Sequence, residues 1–254
     1  ESLEAFEMVI DTVNNMEVDF VLTGGDMVYD VLRGNKSKSD SLFTLYKTSS
    51  AKFNIPVYNC VGNHELFAIY KESPEDSLHP DYKYGMYERY FGDTYYSFDH
   101  KGWHFVVLNS LDAENQRYIG SMSEEQLDWL KTDLTNIDRD TPIAIALHIP
   151  LISTFPQIHR KSANARGYRC LRNQAKLMEI LEDYNLKLVL QGHLHWLEDI
   201  NIMGKTRYIT GGAVAGRPSW KGKRHGEEGF LKITISGEEL SWDFIDYGWD
   251  KTDM

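Results

Sequence analysis

The sequence predicts an α/β protein in which helices cover β-sheets within one domain, residues 1–254. Three observations predict it. Through the earlier part of the chain, apolar segments of helical period alternate with short apolar runs that end in glycine. The later part carries short strand-like segments separated by Gly-containing turns. The composition, 42% hydrophobic and 26% charged over 254 residues, is that of a globular chain able to bury a sizeable core.

The elements follow in order. Ser2 precedes Leu3, Phe6, Ile10 and Val13 at helical spacing, and Asn14-Asn15 closes that helix. Residues 18–22 read as a strand running into Gly24-Gly25-Asp26. A helix over 40–53 and a strand over 55–61 come next, the strand ending in Gly62-Asn63-His64-Glu65. Residues 66–93, rich in Tyr and Pro, predict a long loop with a short helix near 86–91. Strands 95–98 and 103–108 pair around His100-Lys101-Gly102. Ser123-Glu124-Glu125-Gln126 has the form of a capping box and predicts a helix over 124–135. Strand 142–147 ends in His148-Ile149-Pro150. A polar loop (153–171) and a helix (172–184) lead to strand 187–191, which stops at Gly192-His193-Leu194-His195. Strands 197–203, 206–210, 228–235 and 239–246 complete the chain, with no internal repeat.

The net charge of −11 argues against a general nucleic-acid binder, which needs a basic surface. The longest apolar stretch, 143–152, is interrupted by His148 and Pro150 and is too short to span a bilayer. The two cysteines form no CxxC, which excludes a thiolate zinc site, and Cys60 reads as a small buried hydrophobe.

The polar clusters share a position. Asp26, Asn63, His148 and the His193/His195 pair each follow the end of a predicted strand, where ligands bind in open α/β sheets. Taken singly, each has a bland reading: Asp26 and Asn63 as turn residues, His148 as a core histidine. Taken jointly, they are a donor set of hard oxygen and imidazole, which suits Mn, Fe or Zn, and two divalent ions better than one.

These residues resemble the calcineurin-like metallophosphoesterases. Gly25-Asp26-Met27-Val28-Tyr29-Asp30 resembles that family's GDxxD block, Gly62-Asn63-His64-Glu65 its GNH(D/E) block, His148 its lone histidine after a strand, and Gly192-His193-Leu194-His195 its GHxH block. The resemblance implies a four-layer α-β-β-α sandwich of two mixed sheets flanked by helices. It also implies hydrolysis of a phosphate mono- or diester by a metal-bound hydroxide. Asp26 would bridge two divalent metals. Asn63, His148 and His193 would complete one site and His195 would contribute to the other. His64 would face the phosphate as proton donor, and Asp30 would orient His64 or the ligands. Gly25-Asp26-x-x-Tyr29 also satisfies the GDxxY block of purple acid phosphatases, in which the Tyr is an iron ligand.

The family also opens with Asp-x-His on its first strand, and no such motif occurs in this chain. The expectation is that the natural protein extends upstream of Glu1 and that one metal site keeps only Asp26 and His195 here. A catalytically impaired, phosphoesterase-like binding domain is the alternative reading. Two basic segments without acids, 159–172 and 216–226, follow the histidine blocks. They read either as solvated loops or as holders of a small phosphate-ester substrate, with Arg217 and Arg224 contacting phosphate and Trp220 stacking. Trp196 reads as a second stacking residue or as packing. His79, His100, His104, His159 and His225 match no motif and read as surface or packing residues.

Overall fold

The computed structural model describes residues 2–158, 169–215 and 228–249. The elements in chain order are α1 (Ser2–Asn14), β1 (Val21–Leu22), α2 (Lys36–Ser50), β2 (Val57–Tyr58), α3 (Gly85–Phe91), β3 (Tyr96–His100), β4 (Trp103–Leu108), β5 (Leu111–Glu114), β6 (Arg117–Gly120), α4 (Glu124–Leu134), β7 (Ile143–Leu147), α5 (Phe155–Ile158), α6 (Gln174–Leu181), β8 (Leu186–Gln191), β9 (Glu198–Ile202), β10 (Thr206–Thr210), β11 (Phe230–Ser236) and β12 (Glu239–Ile245).

The spine is a six-stranded mixed sheet in the order β3-β4-β7-β8-β10-β9, with β4, β7, β8 and β10 parallel. β4 and β7 are buried at every residue, which is why their sequences read as unbroken apolar runs rather than alternations. On one face Val106, Leu108, Ile145, Leu147 and Val189 meet Leu127, Leu130 and Leu134 of α4 and Leu177 and Leu181 of α6. On the other, Phe105, Ala144, Leu188 and Ile209 meet Leu231, Ile233 and Leu240 of the β11–β12 hairpin. Val107 and Ala146 meet Cys60 and Leu22, beside the β1–β2 pair. α1 buries Ala5, Val9, Ile10 and Val13 outside that pair, against Val21 and Val57. The layers therefore run helix, sheet, sheet, helix as expected. The second β layer consists of two separate pairs, parallel β1–β2 and antiparallel β11–β12. Among the described residues no helix is long and apolar enough to cross a membrane.

Several elements differ from expectation for local reasons. β1 and β2 shrink to two residues each. Their flanking backbone bonds are Val21 N–H to Pro56 O and Thr23 N–H to Tyr58 O, and Cys60 N–H then turns to the Thr23 hydroxyl (3.0 Å) instead of a backbone carbonyl. α2 starts at Lys36, earlier than its apolar period, because the Asn35 side chain caps it by accepting from Lys38 N–H. The β5–β6 hairpin escaped prediction. Its two-residue turn is Asn115-Gln116, both at positive φ (51° and 56°), without the Asn-Gly pair that signals such turns. Only half of the predicted capping box forms: Ser123 accepts from Gln126 N–H, while the Gln126 side chain bonds both backbone groups of Asn109. His104 is a packing residue with two carboxylate partners. It is buried, with Nδ1 2.7 Å from Asp99 and Nε2 2.9 Å from Asp133. Cys60 is a buried free thiol.

Candidate metal centre

The carboxyl ends of β1, β2, β7 and β8 deliver Asp26, Asn63, His148 and His193 to one place. His148 Nε2 is the hub: it lies 3.1 Å from Asn63 Oδ1, 3.2 Å from His193 Nδ1 and 3.3 Å from Asp26 Oδ2. One ligand atom from each of Asp26, His148 and His193 falls within 4.8 Å of the others. The other nitrogen of His148, Nδ1, is 2.7 Å from the Gly24 carbonyl, so in the neutral ring the proton sits there and Nε2 presents a lone pair. Carboxylate and amide oxygens and imidazole nitrogens thus converge on one space. Such a cluster is stable only around a cation or an added proton, and its oxygen and imidazole donors suit a divalent metal.

The proton balance reports the same field. Burial opposes ionisation of Asp26, but the surrounding His148, His64 and His193 outweigh it and hold the carboxyl well below its ordinary range. Burial likewise disfavours the His148 imidazolium, yet the Asp26 carboxylate and the Gly24 carbonyl lift its pKa above the usual histidine value.

The loops are locked by a residue that sequence reasoning passed over. Glu65 is fully buried and accepts three backbone N–H groups: Gly62 at 2.7 Å and Asp26 at 2.9 Å on Oε2, and Val28 at 2.9 Å on Oε1. Burial and the Asp26 charge push its pKa up, and the donated N–H bonds resist that rise. His64 N–H in turn donates to Asp26 Oδ1 (2.9 Å), so the two loops hold one another. Their closeness explains Gly62: a Cβ there would sit 2.1 Å from Asp26 N. Gly25 has φ +85°, and a Cβ would meet His148 Nδ1 at 2.6 Å. On the other side, Ser110 Oγ accepts from Ile149 N–H (2.7 Å) and Gln191 Oε1 from Leu151 N–H (2.8 Å), fixing the backbone after His148. The only sequence signal for Glu65 was its place as the acid that follows Asn-His.

His193 and His195 do not lie on an extended segment, as their i, i+2 spacing suggested. Both adopt the left-handed conformation (φ 67° and 50°), as does Asp26 (φ 57°). A 2.7 Å bond from Leu194 N–H to Gly192 O tightens the turn between them. His193 joins the cluster, with Tyr118 edge-on to its ring at 5.8 Å. His195 lies outside the three-residue group.

His64 is half-buried, with Nε2 3.9 Å from Asp26 Oδ2. Its Nδ1 accepts the backbone N–H of Asp30 at 3.0 Å, which puts the proton of the neutral ring on Nε2, the site side. Asp30 thus reaches His64 through its backbone. Its carboxylate pairs with Arg33 (2.8 Å), and its other oxygen is buried without a hydrogen-bond partner. Tyr29 is 60% exposed, with its ring 6.4 Å from that of His64. Trp196 packs edge-on against Phe155. Arg217, Trp220 and Arg224, with His159 and His225, lie outside the described residues.

Comparison with known proteins gives the family and the fold. A family model described as calcineurin-like phosphoesterase matches residues 1–197. Purple acid phosphatase 15 of Arabidopsis thaliana is 30% identical over 150 residues, which is 58% of this chain and 26% of that protein. The 3',5'-cyclic adenosine monophosphate phosphodiesterase CpdA of Escherichia coli K12 is 22% identical over 211 residues, 82% of this chain and 66% of that protein. The chain spans 25% to 40% of the length of the four purple acid phosphatases it matches. The fold is shared with a dimetal phosphatase from Danio rerio, at a TM-score of 0.66 and 16% identity over 96% of this chain and 86% of that one.

Proposed function

Since the chain belongs to the calcineurin-like phosphoesterase family, we propose that it hydrolyses phosphate esters with divalent metal held by Asp26, Asn63, His148 and His193. The observation that carries this reading is the convergence of Asn63 Oδ1, His193 Nδ1 and Asp26 Oδ2 on His148 Nε2 within 3.3 Å. A bound divalent ion supplies Lewis acidity toward a phosphoryl oxygen and toward water. Two ions of the Mn, Fe or Zn type would both be held by Asp26, and His195 would serve the second.

The protein's own contribution is placement and a proton. His64 Nε2–H faces the site while its Nδ1 is held by Asp30 N–H. As the bond from phosphorus to the leaving oxygen breaks, that oxygen takes the His64 proton. The relatives carry both phosphatase and phosphodiesterase names, so both ester types are proper assays. Tyr29 is too exposed in this arrangement to be assigned as a ligand.

The test is metal content of the parent and of Asp26→Asn, with turnover of para-nitrophenyl phosphate and bis(para-nitrophenyl) phosphate. The parent should hold divalent metal and hydrolyse at least one ester. Asp26→Asn should lose metal, since a neutral amide bridges two cations poorly. Unchanged metal content in that variant would remove Asp26 from the site. Metal retention with no turnover of either ester would favour the binding-domain alternative, for which the position of His195 outside the cluster is the supporting observation.

A further inference from the structure

We propose that Arg33, Tyr70 and Arg117 form a subsite for a second anionic group of the substrate, one that is not itself hydrolysed; this rests on the phosphoesterase reading and names the substrate class. Two guanidinium groups share one ring: Arg33 Cζ lies 4.4 Å and Arg117 Cζ 4.5 Å from the Tyr70 centroid. Each group is within 4.5 Å of the same ring centre, so two planar forks able to bind phosphate or carboxylate share one aromatic platform.

The pairing of charges around them is uneven. Arg33 is bonded to Asp30. Arg117 sits directly across the β5–β6 ladder from Glu114, the natural partner, but Glu114 pairs instead with Arg172 at 3.0 Å. Among the described residues no carboxylate lies within ion-pairing distance of Arg117, although the chain carries a net charge of −11. A like-charged head is therefore held beside Arg33, on a buried ring, with its charge unmatched. The backbone under the ring is held by Tyr70 N–H to Leu32 O (3.0 Å), and the Arg33 side chain is 44% exposed.

Each arginine is linked to the candidate metal centre through one neighbouring residue. The Asp30 that binds Arg33 donates its backbone N–H to His64. The residue after Arg117 is Tyr118, whose ring abuts His193. An ester whose phosphoryl group lies at the cluster would extend its other end over His64, the proton donor to the leaving oxygen, toward this pair. The substrate class is accordingly a phosphate ester whose alcohol portion carries a second phosphate or a carboxylate.

The experiment titrates the full chain, supplied with Mn²⁺, with phenylphosphonate and with para-benzenediphosphonate, which differ only in the second anion, by calorimetry. The parent should bind the diphosphonate about tenfold more tightly, the scale of one charge-assisted contact. Arg33→Gln/Arg117→Gln should abolish that preference, and Arg117→Gln alone should reduce it, with thermal denaturation confirming that both variants fold. No preference in the parent, or an equal preference in the double variant, overturns the subsite and leaves the stacked arginines as packing for Tyr70. Turnover of bis(para-nitrophenyl) phosphate by the parent tests the phosphoesterase reading separately. If turnover is absent but the arginine-dependent preference is present, the hydrolytic reading falls and the anion subsite stands.

Discussion

Replacing Glu65 by Gln changes one oxygen to an amide and little else, so its consequences can be worked from the hydrogen bonds. The carboxylate accepts Gly62 and Asp26 N–H on Oε2 and Val28 N–H on Oε1. A glutamine oxygen placed at the Oε2 position keeps the first two and sets an NH₂ against Val28 N–H. The opposite orientation loses two donors instead of one. The unsatisfied buried N–H costs about 1–3 kcal/mol, and the surviving bonds lose their charge assistance. Relief of repulsion with Asp26 offsets part of this, giving a net loss of about 2–4 kcal/mol in stability. Asp26 also loses the anchor that holds it at φ 57°, so divalent affinity should fall about tenfold or more. Urea unfolding and metal titration of the parent and Glu65→Gln measure both. A variant within about 0.5 kcal/mol of the parent, with unchanged metal affinity, would refute the role given to Glu65.

His64→Ala should retain bound metal and lose turnover by ~10²–10⁴-fold, most for esters with poor leaving groups; loss of the metal instead would make His64 a ligand. Because the Asp26 carboxylate raises the His148 pKa, metal should displace a proton there and bind more tightly as pH rises through that value. Titrations in buffers of different ionisation enthalpy should show proton uptake by the buffer, and none would mean that His148 is already neutral without metal. Burial raises the Asp40 pKa, but Arg89 and Lys36 outweigh it and lower the value from 3.8 to about 2. That stabilisation is present above the unfolded value and disappears as pH falls through the folded one. Asp40→Asn should therefore show a shallower loss of thermal stability across that window, and an identical acid profile would contradict it.

The layered fold was legible because strand ends and helix starts carry local signatures. The apolar run 143–147 and the Gly192 stop of β8 needed no tertiary information. The cluster was legible as residue types near strand ends, since Asp26, Asn63, His148 and His193 each come within five residues of one. What escaped depended on contacts between distant segments. Glu65 matters through N–H groups of residues 26 and 28, and the left-handed turn at His193–His195 through the Gly192 carbonyl, neither of which periodicity encodes. The carboxylate partners of His104 escaped for the same reason: the second comes from Asp133, on a different element.

The brevity of β1 and β2 divides the centre into a firm half and a soft half. His148 and His193 rise from the middle of a six-stranded sheet, whereas Asp26 and Asn63 rise from strands of two residues each. Amide hydrogen exchange should therefore be slow along 186–191 and much faster along 21–30 and 57–67. An ion bound by all four side chains would staple the soft half to the firm one, so that chelation speeds exchange in the first two loops alone. Metal would then act as a kinetic lock on half of the fold, and a protease added after chelation should cut there first.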